Sequence, residues 1–128
     1  MSARLRMLAL VVGMLPTFAA GSEPTASTGA VLYRQYCASC HGTTGHGDGP
    51  ASGALTPPPT NLTRLTTPVP ELMQQIDGRQ PIRAHGTAAM PVWGHVFEQA
   101  RAGERHKGRA ALLQVELLAE YVRSLQRD

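Results

Sequence analysis

The pentapeptide Cys37-Ala38-Ser39-Cys40-His41 restricts this chain more than any other stretch. Two thiols three residues apart, followed at once by an imidazole, form the pattern of a c-type haem attachment site. The chemistry needs this spacing. On one helical turn, residues i and i+3 share a face, so both sulfurs reach the two vinyl groups along one porphyrin edge. His41 then brings a ring nitrogen under the iron as the proximal ligand. The two thioethers would consume both cysteines, and the chain has only those two.

Other chemistries use the same residue types. A thioredoxin-like pair wants a βαβ pattern nearby, and none is visible. A structural zinc site needs two further ligands, usually a second pair at short spacing. His46, His85, His95 and His106 are scattered and offer no such pair. A structural disulfide leaves His41 without a role.

The N-terminus has the pattern of an export signal. Arg4 and Arg6 precede an apolar run from Leu8 to Leu15, and the small residues Thr17, Ala19 and Ala20 follow. That run falls short of the roughly twenty residues that span a bilayer. Residues 1–20 are therefore expected to be a signal peptide, 21–27 a flexible leader and 28–128 one small domain, with the mature protein periplasmic. The formal charge of +3 owes much to the signal, since without Arg4 and Arg6 the count is 10 basic against 9 acidic side chains. Nucleic-acid binding has no support beyond one short basic run. A domain of this size buries a limited core, and a large apolar cofactor would add hydrophobic mass.

Helical segments and loops alternate along the mature part. A first helix is expected from an N-cap at Ser27 or Thr28 into Cys37. After His41 the chain turns to glycine and proline: Gly42, Gly45, Gly47, Gly49, Pro50, then Pro57 to Pro59. Such a stretch is an irregular loop. A short helix is predicted from Val69 or Pro70 to Asp77, with proline at its start and Gly78 at its stop. A loop from Arg79 to Gly94 holds Met90-Pro91, and a helical segment covers His95 to Ala102. The last helix, about Arg109 to Arg127, has an apolar stripe of Leu117, Leu118, Tyr121, Val122 and Leu125. No strand signal or repeat appears.

Gly29 and Tyr33 ahead of Cys-x-x-Cys-His, the glycine- and proline-rich loop, a late Met-Pro and the terminal Tyr121-Val122-Arg123-Ser124-Leu125 together resemble the class I c-type cytochromes. Gly45-His46-Gly47-Asp48-Gly49-Pro50-Ala51 resembles the loop found in many bacterial single-haem members. The likeness spans about residues 27–127. It implies an all-α fold of three to five helices, with long loops wrapped around one covalently bound haem c. It further implies that the first and last helices cross, with Gly29 and Tyr33 meeting the last one around Leu118, Tyr121 and Val122.

The sixth iron ligand has several candidates: Met73, Met90, His46, His85, His95 and His106. Met73 sits in an amphipathic helix beside Leu72 and Ile76, the place of a core side chain. Met90 lies in a loop 49 residues after His41, stiffened by Pro91. Its position and motif match the family's distal methionine, so His41 and Met90 are the expected axial pair. The resemblance assigns the acceptor of the second His41 ring N–H to a proline carbonyl, here Pro50. Arg79, Arg83 and Trp93 are candidate partners of the haem propionates, whose burial unpaired would be costly. His85 is a candidate donor to a propionate or the backbone.

These residues imply an electron carrier with no catalytic residue and no small-molecule substrate. It would serve redox partner proteins outside the cytoplasm, free or as a subunit of a dehydrogenase or oxidase, with peripheral contact to membrane redox complexes. The alternative is a peroxidase-like enzyme or gas sensor with an open sixth position, against which Met90-Pro91 argues. Arg101, Arg105, Lys107 and Arg109 form the most basic stretch and are the candidate docking charges.

Overall fold

The computed structural model of the protein describes residues 24–79 and 90–126. Among these residues the chain forms five α-helices and two 3-10 turns, with no strand. Helix α1 runs Pro24–Tyr36, α2 Ala38–His41, α3 Val69–Asp77, α4 Trp93–Gln99 and α5 Lys107–Leu125. The 3-10 turns are Ser52–Ala54 and Leu62–Arg64, both in the connection between α2 and α3. No described helix is long and apolar enough to cross a membrane. The N-terminal segment 1–20 lies outside the described residues.

Helix α5 is the element on which the others pack. Its inner face carries Ala111, Val115, Leu118, Ala119 and Val122, all buried. Helices α1, α3 and α4 each lie against it. They contribute Tyr33, then Leu72 and Ile76, then Phe97, all in the same core. The buried face is wider than the expected stripe and is displaced from it. Leu118 and Val122 are fully inside, whereas Leu117, Tyr121 and Leu125 are half-buried. A helix packed by three neighbours buries more of its circumference than one lying on a single surface, and alanines at 111 and 119 let backbones approach.

The crossing of α1 and α5 rests on Gly29. A side-chain carbon at that position would run into the backbone oxygen of Leu117 and come within 3.0 Å of the Tyr121 Cβ. One turn on, the rings of Tyr33 and Tyr121 pack with centroids 5.1 Å apart. Helix α1 begins at Pro24, inside the stretch expected to be leader, because proline is tolerated in the first turn where its missing N–H has no partner to lose.

Helix α3 spans the expected residues. Pro70 lies in its first turn, and Gly78 ends it at φ +69°, with its N–H on the Gln74 carbonyl at 3.0 Å. Helices α4 and α5 both start two residues earlier than expected, and α4 ends at Gln99 rather than Ala102. Met73 packs against the core from α3, as its spacing implied.

Candidate haem-attachment site

The attachment pentapeptide is built as the continuation of α1. The Cys37 N–H bonds to the Tyr33 carbonyl at 2.9 Å, and the N–H groups of Cys40 and His41 both reach the Cys37 carbonyl, at 3.1 and 2.9 Å. Both thiols therefore sit on one tight turn. Cys37 is buried and Cys40 half-buried, so one sulfur faces the interior and the other the rim. Burial first, and the neighbouring Cys40 second, push the Cys37 thiol up to about 12. In the unmodified chain it stays protonated at neutral pH.

A helix ending at His41 leaves its last carbonyls without partners. The glycine-rich loop supplies them in reverse order. The N–H of Gly47 bonds to the His41 carbonyl at 2.8 Å, that of Gly49 to Cys40 at 3.1 Å, and that of Ala51 to Ser39 at 2.9 Å. Such close backbone approach needs glycine. A Cβ on Gly49 would run into the Ser39 carbonyl, and one on Gly47, at φ +82°, would run into the Pro59 carbonyl. The Gly45 carbonyl in turn accepts from Leu62 N at 2.7 Å, tying the loop to the second 3-10 turn. Tyr33 closes the other side. Its hydroxyl donates to the Gly42 carbonyl at 2.9 Å in a buried position, and burial is the main cause that raises its pKa above the ordinary tyrosine value.

The ring of His41 is oriented by Thr60, whose carbonyl lies 3.0 Å from Nδ1. This corrects the assignment to Pro50. The Pro50 residue is exposed on the loop that caps α2. The chain doubles back after Pro57 to Pro59 and brings the Thr60 carbonyl to the imidazole instead. With Nδ1 as donor to that carbonyl, Nε2 is the nitrogen left to bind a metal.

The other candidates divide. Met90 is 38 % exposed, just before α4. Trp93 opens α4 and packs in an aromatic group, its ring 5.5 Å from Tyr36 and 5.6 Å from Phe97. Arg79 pairs with two carboxylates. Its guanidinium bonds to both Asp77 oxygens and reaches Glu98 at 3.2 Å. The Asp77 hydrogen bond is the first cause that raises its pKa. Arg83 and His85 lie outside the described residues. His46 is exposed, with Nδ1 2.8 Å from the Thr44 hydroxyl, and His95 and His106 are exposed as well. In the basic stretch Arg101 pairs with Glu104 at 3.3 Å and Lys107 with Glu98 at 3.8 Å, which leaves Arg105 and Arg109 without an ion pair among the described residues.

The donor set fits a haem c. Among the described residues, no group of three or more His, Cys, Asp or Glu side chains is placed to hold a metal ion. His41 Nε2 would hold the iron of a haem c, and the two thiols one turn away would fasten its porphyrin. Sequence reasoning missed Thr60 because its contribution is a main-chain carbonyl, to which side-chain identity gives no clue. The capping N–H groups had a signal in the alternate glycines at 45, 47 and 49.

An all-helical domain closed around a Cys-x-x-Cys-His turn and an oriented imidazole is the architecture of a c-type cytochrome. The family described as Cytochrome C oxidase, cbb3-type, subunit III matches residues 24–104, and the chain belongs to it. No curated protein matches the chain. Membership makes this a cytochrome c domain of the respiratory chain, and it implies haem c, electron transport and association with a cbb3-type oxidase.

Proposed function

We propose that this protein is an extracytoplasmic one-electron carrier, with one haem c fastened through Cys37 and Cys40 and ligated by His41 and Met90. The observation that carries the reading is the His41 ring, whose Nδ1 is committed to the Thr60 carbonyl at 3.0 Å while both thiols sit on the same turn. When bound, haem supplies the one-electron couple.

The residues of this chain do the rest. The Thr60 carbonyl fixes the imidazole tautomer and increases the donor strength of Nε2. The N–H groups of Gly47, Gly49 and Ala51 pin the turn that carries both cysteines. A thioether from Met90 would favour the reduced state of the bound group and would leave it no open site for a substrate or gas, which argues against an enzyme or gas sensor. Half-buried Cys40 marks the rim at which a partner approaches. The export pattern of residues 1–20 suits periplasmic work beside a cbb3-type oxidase, either as a free carrier or as a bound subunit.

Two measurements test the reading. On a denaturing gel, haem stain must stay with the polypeptide and be lost when Cys37 and Cys40 are both replaced by Ala. Met90→Ala should abolish the weak near-infrared sulfur-to-iron band of the oxidised protein and lower its potential, while Met73→Leu leaves the band intact. A band lost in Met73→Leu and kept in Met90→Ala would assign the ligand to Met73.

A further inference from the structure

The outer face of α5 is organised as closely as its inner face. At 3.6 residues per turn, Arg109, Leu112, Leu113, Glu116 and Glu120 fall within an arc of about 100°, turned away from the buried stripe of Ala111, Val115, Leu118, Ala119 and Val122. All five are exposed, Leu112 at 48 % and Leu113 at 53 %. Arg105, just before the helix, is exposed too. Arg105, Arg109, Glu116 and Glu120 make no ion pair with any described residue, whereas Arg79, Arg101 and Lys107 all do.

The order of these residues is a charge palindrome. About the midpoint between Leu112 and Leu113, Arg109 mirrors Glu116 and Arg105 mirrors Glu120. We propose that this face is a two-fold interface between two copies of this chain, with their α5 helices packed antiparallel. A two-fold contact is isologous, so residue i of one copy meets residue j of the other and j meets i. In this arrangement Leu112 of each copy packs on Leu113 of the other. Arg109 then faces Glu116 twice, and Arg105, in the turn before the helix, lies towards the Glu120 end of the partner.

The charges select a second copy over other occupants. An acidic protein or an anionic membrane would be attracted to Arg105 and Arg109 but repelled by Glu116 and Glu120 two turns further along. A partner helix must carry the same charges in reversed order, and this chain carries them. The apolar contact on this face is Leu112 and Leu113 alone, and the flanking charges set its orientation, as they do in paired helices. One helix face per copy makes a small contact, in the class below roughly 1,200 Å², so the dimer is reversible and its stability depends on salt.

Sedimentation equilibrium of the mature holoprotein at low salt, from about 10 μM to about 1 mM, tests this; these concentrations bracket the range expected of small interfaces. The expected result is a mass that climbs from one chain towards two. Arg109→Glu and Glu116→Arg should each weaken association about tenfold or more, because symmetry doubles every like-charge contact. The double variant R109E/E116R should restore it, since the pair is only reversed in sign. Both sites are exposed and both replacements are good helix formers, so folding is preserved and far-UV circular dichroism verifies it. A protein that stays monomeric throughout overturns the proposal, whether the face is then free or covered by the chain's own N-terminal segment. A double variant as weak as the single ones overturns the antiparallel pairing.

Discussion

Gly29 lies in the interior of α1 and Gly108 in the first turn of α5, and replacing each with alanine should move stability in opposite directions. Alanine is favoured over glycine in a helix interior by about 1 kcal/mol, so propensity alone predicts a gain at both. At Gly108 nothing stands within 4 Å of the new carbon, and the gain is kept. At Gly29 the new carbon presses on the Leu117 carbonyl and lies 3.0 Å from Tyr121 Cβ. The obstacle is backbone in a packed helix and cannot swing aside. Accommodation requires α1 and α5 to separate, which loosens the Tyr33–Tyr121 contact; overpacking costs about 1–3 kcal/mol, and an obstacle of backbone rather than a flexible side chain puts this site in the upper part, about 2–3 kcal/mol. After subtracting the propensity gain, Gly29→Ala should lose about 1–2 kcal/mol. In a domain near 100 residues each kcal/mol shifts Tm by about 4–8 °C, so the melting point falls by about 5–15 °C while that of Gly108→Ala rises. Thermal unfolding of the holoproteins, followed by far-UV circular dichroism, reads both. If Gly29→Ala is as stable as the parent or more so, the helices do not meet at that residue and the packing argument is wrong.

Tyr33→Phe keeps the ring but removes the shorter of two bonds to the Gly42 carbonyl, leaving only the Gly45 N–H at 3.3 Å, and should cost about 0.5–1.5 kcal/mol in urea unfolding. The same variant has a pH signature. Burial holds the folded-state pKa of Tyr33 above its unfolded value of 10.0, so its neutral form contributes stability that is complete below pH 10 and lost as pH rises beyond it. Stability profiles should fall less steeply above pH 10 in Tyr33→Phe than in the parent; parallel alkaline limbs would refute the assignment. Gly47→Ala places a side chain at φ +82° against the Pro59 carbonyl, which should break the bond to His41 and lower holoprotein yield more than Gly53→Ala, where nothing stands within 4 Å.

The parts of this fold that could be read from sequence are those governed by local chemistry. Helix α3 announced itself through Pro70 and Gly78, and the attachment turn through the spacing of Cys37, Cys40 and His41. The contact of Gly29 with α5 followed from family likeness, and the geometry bears it out. What stayed hidden depends on the path of the main chain. Thr60 instead of Pro50 meets His41 because the segment after three prolines folds back, and a carbonyl has no sequence signature. Arg79 is a candidate for a haem propionate on charge alone, and its pairing with Asp77 two residues earlier and with Glu98 on α4 had no signal in the sequence. The burial of Ala111 and Val115 likewise required knowledge that three helices converge on α5.

The three bonds that cap the attachment turn form a nested set of short closures. Gly47 returns to His41, Gly49 to Cys40 and Ala51 to Ser39, so each bond adds only a few residues to the loop already closed. Chain entropy for such closures grows slowly with length, and contacts local in sequence form fast. The contact between Gly29 and Leu117, by contrast, must join the two ends of the domain. The thiols can thus be arrayed for attachment before the C-terminal third of the chain has folded against them. Damage to the glycine loop would then slow maturation, whereas damage at the α1–α5 crossing would shorten the life of a cytochrome already made.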